Sequence, residues 1–211
     1  MKTVFISQDG DLQNELIEFC SKNQFNLIAK SLIDFRQVIG VFPNQSAQIV
    51  FFTSPRSVEF FFRQKQLKNS QQVACIGKST KLALENRGIQ VDFCSKNEKT
   101  PTLVAEEFSA WVGDKVVLFP LSDRSNKSMQ KRLNPNQIQD VVVYETALNP
   151  QKIEPIPDIL IFSSPSNVDS FLMLNEIHAD QKLFSWGETT QNCLLEKGFK
   201  SKFYTSPNSL V

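Results

Sequence analysis

The stretch Val50-Phe51-Phe52-Thr53-Ser54-Pro55-Arg56-Ser57-Val58 joins an apolar run to a Ser-Pro pair and a second apolar pattern. A similar stretch, Leu160-Ile161-Phe162-Ser163-Ser164-Pro165-Ser166-Asn167-Val168, lies 110 residues later. Three further landmarks keep this offset without a gap: Gly77 and Gly187, Thr80 and Thr190, and Gly88 and Gly198. Because chance rarely keeps four landmarks in register, the sequence predicts a duplicated α/β unit and two similar lobes.

Each copy begins with the pattern of a buried strand followed by a helix. The apolar run leads to Ser54 or Ser164, which suits a helix N-cap, and the next residue is a proline, which suits the first helical position. A second apolar run then ends at Gly77 or Gly187, and another helical pattern follows. Strands that alternate with helices in this way predict parallel sheets with right-handed crossovers.

The remaining elements are predicted from the same patterns. A short helix is expected within 36–47, and a polar loop leading into a basic helix within 121–133. A last helix would normally begin at 205–208, and we expect it to be missing from this sequence. Two extended connections, 31–38 and 141–150, are expected to run side by side as a two-stranded hinge. Strands are predicted at 4–7, 25–29, 49–52, 73–76, 91–93, 115–120, 140–148, 159–162 and 183–186.

The composition narrows the class of protein. The chain has 211 residues and a formal net charge of +1. Its net charge therefore gives no indication that it binds nucleic acid or a membrane surface. No apolar run is long enough to span a membrane, and the N-terminus turns polar too early for a signal peptide. A cytoplasmic protein is therefore expected. Since no long apolar stripe calls for a partner chain, a monomer is also expected.

Cysteine and histidine usage argues against metal, redox and hydrolase chemistry. The four cysteines form no C-x-x-C pair and lie in or beside apolar stretches, which favours burial as small hydrophobic side chains. The single histidine, His178, lies in a polar stretch without a G-x-S-x-G motif to accompany it.

Helix starts are the candidate binding features. In open α/β sheets ligands bind beyond the carboxyl ends of the strands, where free amides at helix starts attract anions. A ligand with many carboxylates could use several such starts if they faced one cleft. Each one could equally be an ordinary cap, and the residues alone leave that open. The four starts are Thr53/Ser54, Lys78/Ser79/Thr80, Ser163/Ser164 and Glu188/Thr189/Thr190.

The order and spacing of these motifs resemble the uroporphyrinogen-III synthase family over nearly the whole chain. The segments that carry the resemblance are 52–58, 73–80, 117–120, 143–146, 162–168 and 187–190. The resemblance implies two α/β lobes with parallel sheets flanked by helices, joined by a two-stranded β hinge. Residues 1–33 and 149–211 would form the first lobe, 38–143 the second, and 34–37 with 144–148 the hinge.

The family resemblance also implies an activity. It implies a cofactor-free lyase that takes hydroxymethylbilane, a linear tetrapyrrole with eight carboxylates, removes water, inverts the last pyrrole ring and closes the macrocycle. The product is uroporphyrinogen III, a precursor of haem. The alternative is a two-lobed module that binds a polycarboxylate or another anion without turnover.

The resemblance assigns Tyr144 as the proton donor to the leaving hydroxyl of the substrate. The alternative is a strand tyrosine that only shields the hinge. No metal is expected. The candidate substrate-binding residues are Thr53, Ser54, Arg56, Ser57, Lys78, Ser79, Thr80, Ser163, Ser164, Ser166, Lys182, Glu188, Thr189 and Thr190, with Arg124 as a further carboxylate partner.

Overall fold

The computed structural model describes residues 1–9, 14–95 and 101–210, with Pro101 described by its backbone only. Leu12 and Thr100, which the sequence assigns to helix starts, lie outside the described residues. The chain divides into two compact units. Unit 1 comprises Met1–Asp34 and Ala147–Val211, and unit 2 comprises Phe35–Thr146.

Strands and helices alternate along the chain. The described strands are β1 (Thr3–Ile6), β2 (Asn26–Ala29), β3 (Ile33–Gln37), β4 (Ile49–Phe52), β5 (Gln72–Cys75), β6 (Phe93–Cys94), β7 (Val117–Ser122), β8 (Ile138–Leu148), β9 (Ile159–Phe162), β10 (Lys182–Ser185) and β11 (Lys202–Phe203). The described α-helices are α1 (Asn14–Lys22), α2 (Pro55–Phe62), α3 (Lys78–Glu85), α4 (Pro101–Val112), α5 (Pro165–Leu172) and α6 (Glu188–Glu196). Among the described residues, no helix is both long and apolar enough to cross a membrane.

The strand order confirms the α/β class with two similar halves. One sheet runs β11-β10-β9-β1-β2, and the other runs β3-β8-β7-β4-β5-β6. Read from β6 to β8, the second sheet repeats the order of the first, with β4 in the place of β9 and β5 in the place of β10. The neighbouring strands of this shared set pair in parallel. Each half therefore contains the same five-stranded α/β unit.

The strands β3 and β8 both cross the boundary between the two units. They are neighbours in the second sheet. The Val38 amide donates to the Val143 carbonyl, and the Asn149 amide donates to the Leu32 carbonyl. These bonds join the end of one segment to the start of the other, which is the pattern of an antiparallel pair. The segments 34–37 and 144–148 lie on these two strands.

The central strands are apolar on both faces because helices cover both faces of each sheet. In β4, Val50 and Phe52 pack into one cluster with α2 and α3, whereas Ile49 and Phe51 pack into another with α4. All four side chains are fully buried. Burying a side chain of this size contributes roughly 1.5–3 kcal/mol, which explains why the run shows no polar alternation.

The prediction of a short helix within 36–47 is wrong. After β3 the chain runs without helix to β4. The side chain of Gln64, which follows α2, makes hydrogen bonds to the backbone of this segment instead. Its Oε1 accepts from the Gly40 amide at 2.8 Å, and its Nε2 donates to the Val38 carbonyl at 2.9 Å. A side chain distant in sequence thus replaces the local bonds that a helix would have made.

The basic helix predicted within 121–133 is also wrong. The strand β7 continues through Pro120 to Ser122, and the only helical turn described there is a 3-10 turn, Gln130–Arg132. Pro135 disfavours a helical conformation at the residue before it, so the turn cannot extend. The helix expected to be missing at 205–208 is replaced by another short 3-10 turn, Pro207–Leu210. The two-residue strand β11 is too short to be predicted from its pattern.

Candidate functional site

In unit 2, two helices begin at the same edge of the sheet. The strands β4 and β5 are parallel neighbours, and each is followed at its carboxyl end by a helix, α2 or α3. Ser54 caps α2: its Oγ accepts from the Ser57 amide at 3.1 Å, and Ser57 Oγ donates to the Ser54 carbonyl at 2.7 Å. Thr53 is part-buried beside this cap. This edge is where α/β proteins bind their ligands.

Tyr144 places a phenol beside this helix start. Its hydroxyl lies 3.4 Å from Ser54 Oγ, and its side chain is 8% exposed. The ring stacks on Phe60 of α2, with centroids 5.2 Å apart and an interplanar angle of 17°. Phe35 packs edge-on against the same ring at 6.0 Å. Two aromatic neighbours therefore fix the ring and leave the hydroxyl at the cap of α2.

Two basic side chains lie at the same edge of the sheet in unit 2. The Arg56 guanidinium lies 3.7 Å above the centre of the Phe35 ring, a cation–π contact that holds an exposed charge near the tyrosine. Lys78 is the first residue of α3 and is exposed, as is Ser79. Thr80 is only 2% exposed, which leaves its hydroxyl little surface for a ligand. This edge of the sheet therefore carries the phenol of Tyr144 and the positive charges of Arg56 and Lys78.

The corresponding hydroxyls of unit 1 bond to their own chain. Ser163 Oγ donates to the Ser7 carbonyl at 2.7 Å, and the Ser163 amide donates to Ser7 Oγ at 2.9 Å. Asn167 Nδ2 donates to Ser164 Oγ at 3.0 Å, and Asn167 Oδ1 accepts from the Leu32 amide at 2.8 Å. These bonds tie β1, β9 and the segment after β2 together, so the serines of this copy have a structural role.

The charges also differ between the two copies. Ser166 stands where unit 2 has Arg56, and Glu188 stands where unit 2 has Lys78. Glu188 is exposed in the first turn of α6, where a negative charge is favourable for the helix but repels an anionic ligand. Thr189 is exposed and Thr190 is 2% exposed. A polycarboxylate therefore finds attractive charge at the helix starts of unit 2 and repulsive charge at α6.

The family model described as uroporphyrinogen-III synthase HemD matches residues 14–208. The chain belongs to the uroporphyrinogen-III synthase family. A uroporphyrinogen-III synthase from Chlorobaculum parvum is 24% identical, and the match covers 95% of this chain and 91% of that protein.

Two solved structures share the fold. The uroporphyrinogen-III synthetase of Helicobacter pylori superposes with a TM-score of 0.70 at 19% identity, covering 98% of this chain and 94% of that one. A mutant uroporphyrinogen III synthase from Thermus thermophilus gives a TM-score of 0.59 at 12% identity, covering 100% of this chain and 96% of that one. At this identity the two structures establish the fold alone.

Within unit 1, the structure does not bring Lys182 together with the other candidate residues of that unit. Lys182 is the first residue of β10, at the amino end of the strand, and its Nζ donates to the Leu210 carbonyl at 3.2 Å. Ser163 and Ser164 follow the carboxyl end of the neighbouring strand β9, at the opposite edge of the sheet. Arg124 does follow the carboxyl end of β7, with its Nε 3.9 Å from the Asp123 carboxylate.

The described residues contain no group of three or more histidine, cysteine or carboxylate side chains that could hold a metal ion. Burial raises the pKa of the Cys20 and Cys193 thiols, and the Asp169 carboxylate raises that of Cys193 further. His178 is exposed, and its backbone amide donates to Gln181 Oε1. All three residues belong to unit 1, whereas Tyr144 belongs to unit 2.

Sequence reasoning missed the residues that hold Tyr144. The apolar stripe that the sequence predicts for α2 is Val58, Phe61 and Phe62, which omits Phe60. The sequence places Phe35 only on an extended connection. Phe60 lies six residues after Ser54, a spacing that puts the two residues on different faces of a helix, so the helical pattern does not place Phe60 beside the cap. The predicted pairing of 31–38 with 141–150 places Phe35 and Tyr144 on neighbouring strands, but it does not give the register that brings the two rings into contact.

Proposed function

We propose that this chain converts hydroxymethylbilane into uroporphyrinogen III, with Tyr144 as the proton donor. Membership of the uroporphyrinogen-III synthase family supports the reaction. The observation that carries the residue assignment is the Tyr144 hydroxyl at the N-cap of α2, beside Arg56 and at the sheet edge where α3 also begins.

The reaction removes one water molecule from the linear substrate. Protonation lets the hydroxyl on ring A leave, which gives an azafulvene. The substituted carbon of ring D then attacks it and gives a spirocyclic intermediate. Its bond to ring C then breaks and forms again at the other carbon of ring D, which leaves ring D inverted. That carbon loses its proton, which replaces the proton that the donor gave. The unaided reaction joins the other carbon of ring D, so the protein must hold a flexible anion in one geometry and supply one proton.

The hydrogen bonds around Ser54 favour a free phenolic proton on Tyr144. Ser54 Oγ already accepts from the Ser57 amide, so its own proton can be donated to the Tyr144 oxygen. The proton of Tyr144 can then point to the substrate hydroxyl. The same serine bond would stabilise the phenolate that forms when the proton is transferred. Ser57 acts through Ser54 and is assigned as a positioning residue.

Carboxylates of the substrate are assigned mainly to unit 2. Arg56 and Lys78 supply positive charge, and the starts of α2 and α3 supply amides. Each such contact contributes about 0.3–1 kcal/mol when exposed. Ser163 and Ser164 are assigned to internal bonding, and Lys182 is left out because it lies at the opposite edge.

A synthase assay tests the reaction directly. Hydroxymethylbilane would be generated in the cuvette, and the products would be oxidised to porphyrins and separated by isomer. We expect the type III isomer in excess over the type I isomer that forms spontaneously. If only type I appeared while the substrate still bound, the chain would be an anion-binding module without turnover.

A second assay tests the carboxylate contacts. Arg56→Gln and Lys78→Gln should each raise KM roughly two- to five-fold and leave kcat nearly unchanged, since each removes one exposed charge contact. Lys182→Gln is the matched control, because it removes a lysine charge from the other sheet edge of unit 1. An equal rise in KM for all three variants would indicate only a general effect of net charge and would contradict the assignment.

A further inference from the structure

Two cysteines of unit 2 are direct neighbours on parallel strands. Cys75 is the last residue of β5 and pairs in register with Cys94, the last residue of β6. Neighbouring strands lie about 4.8 Å apart, and disulfides bridge Cα atoms separated by roughly 4.4–6.8 Å. Residues in register on parallel strands also project their side chains from the same face. The backbone therefore already holds this pair at a disulfide-compatible separation.

The two thiols differ in their access to solvent. Cys75 is fully buried, whereas Cys94 is part-exposed, and both are reduced. Burial raises the pKa of the Cys75 thiol well above its usual range, and the contact with Cys94 raises it further. A small oxidant therefore reaches Cys94 first, and Cys75 is placed to attack second.

The other cysteines offer no such pair. Cys20 packs on one face of the sheet of unit 1, and Cys193 packs against the cluster on its other face. The sheet separates them. They therefore serve as internal controls for thiols that lack a neighbouring partner.

We propose that Cys75 and Cys94 form an oxidisable dithiol that a hydroperoxide converts into an intramolecular disulfide. The Cys94 thiolate attacks the peroxide, breaks its O–O bond and becomes a sulfenic acid, while the peroxide leaves as water or an alcohol. The Cys75 thiolate then attacks the Cys94 sulfur and displaces hydroxide, which takes up a proton to give a second water. Two thiols are oxidised and one peroxide is reduced.

The crosslink would constrain the edge of unit 2 that carries Lys78. The strand β6 has two residues and pairs only with β5 among the described strands. Cys75 lies three residues before Lys78, the first residue of α3. A disulfide would pin this edge strand to β5 and limit opening at the turn that leads into α3.

Peptide mapping of the peroxide-treated full chain tests the proposal. We expect a non-reduced Cys75–Cys94 crosslinked peptide, lighter by two hydrogens than the two free peptides and released by dithiothreitol. Because Cys75 must lose its proton to react, crosslinking should quicken several-fold for each unit of pH between 7 and 9. A dimedone adduct on Cys94 should accumulate at the lower pH.

Cys94→Ser separates this mechanism from general oxidation. In that variant Cys75 should stay unmodified at peroxide doses that crosslink the natural chain, and a Cys20→Ala, Cys193→Ala double variant should crosslink normally. The proposal fails if Cys94 proceeds to sulfinic acid without crosslinking at any pH, or if the disulfides found join separate chains. Thermal melting of each variant before treatment checks that its fold is intact.

Discussion

Replacing Tyr144 with phenylalanine separates catalysis from packing in this site. The phenylalanine ring keeps the stacking on Phe60 and the edge contact with Phe35, so the packing around the ring is preserved. Among the described residues, the one side-chain hydrogen bond of Tyr144 that is removed is the 3.4 Å contact with Ser54 Oγ. This contact is longer than the usual 2.5–3.0 Å of an O–H···O bond, so its loss should cost less than about 1 kcal/mol of stability.

The kinetic effect of Tyr144→Phe should be far larger than the effect on stability. A positioned general acid contributes roughly 10²–10⁴ in rate, which corresponds to about 2.7–5.4 kcal/mol at 1.36 kcal/mol for each factor of ten. The expected result is therefore a fall of at least a hundred-fold in kcat with little change in KM. The melting temperature should fall by no more than about 4 °C.

The isomer ratio of the products supplies the measurement. Spontaneous closure gives the type I isomer, so a slower enzyme yields less type III relative to type I at equal protein concentration. Tyr204→Phe is the matched control, because Tyr204 is the other of the two tyrosines and lies in the core of unit 1. It should retain full activity. Unchanged kcat in Tyr144→Phe, with substrate affinity also unchanged, would remove the phenol from the mechanism.

Three further predictions concern stability. Gln24 has a left-handed φ of 56°, a conformation that suits glycine, and Gly198 has a similar φ of 87°. Gln24→Gly should therefore raise the free energy of unfolding in urea by about 0.5–1 kcal/mol. A lower free energy of unfolding would show that the Gln24 backbone is not strained. Asn167→Ala leaves the buried Leu32 amide without its partner, and unfolding should show a loss of about 1–3 kcal/mol; a neutral result would mean that water replaces the bond. Burial raises the pKa of Tyr204 to about 12, so the folded state keeps a proton that the unfolded state loses above its ordinary value near 10. The free energy of unfolding should thus fall by roughly 2–3 kcal/mol between pH 10 and 12. An equal fall in a Tyr204→Phe variant would show that Tyr204 is not the cause.

The duplicated fold could be predicted because its signals are local and repeated. Ser54 and Ser164 both cap their helices as expected, with prolines at the first helical position. The strands between them appear as apolar runs because both faces of each sheet are covered. The failed prediction within 36–47 has a different origin, since Gln64 satisfies that backbone from a distant position in the chain. Hydrogen bonds of that kind leave no periodic signal.

The site could be predicted only in part, because similar residues perform different tasks in the two copies. Ser54 and Ser164 both follow an apolar strand and precede a proline, yet Tyr144 lies against Ser54 whereas Asn167 lies against Ser164. The difference comes from neighbouring strands: β8 brings a phenol in one unit, and Ser7 at the end of β1 engages Ser163 in the other. Sequence alone shows the caps but not which strand supplies their partners.

The divergence of the two copies explains how a symmetric scaffold can act on an asymmetric substrate. Two identical sites would hold a chain of four pyrroles equally well in either direction, and in one of the two directions the leaving hydroxyl of ring A would lie away from the proton donor. In this chain one unit offers Arg56 and Lys78 at its helix starts, and the other offers Ser166 and Glu188. Tyr144, which we propose as the proton donor, lies in the unit with the cations. Under the proposed assignment, a substrate drawn by its carboxylates to that unit would be brought to Tyr144 by the same charges, so that binding and protonation would select one orientation together.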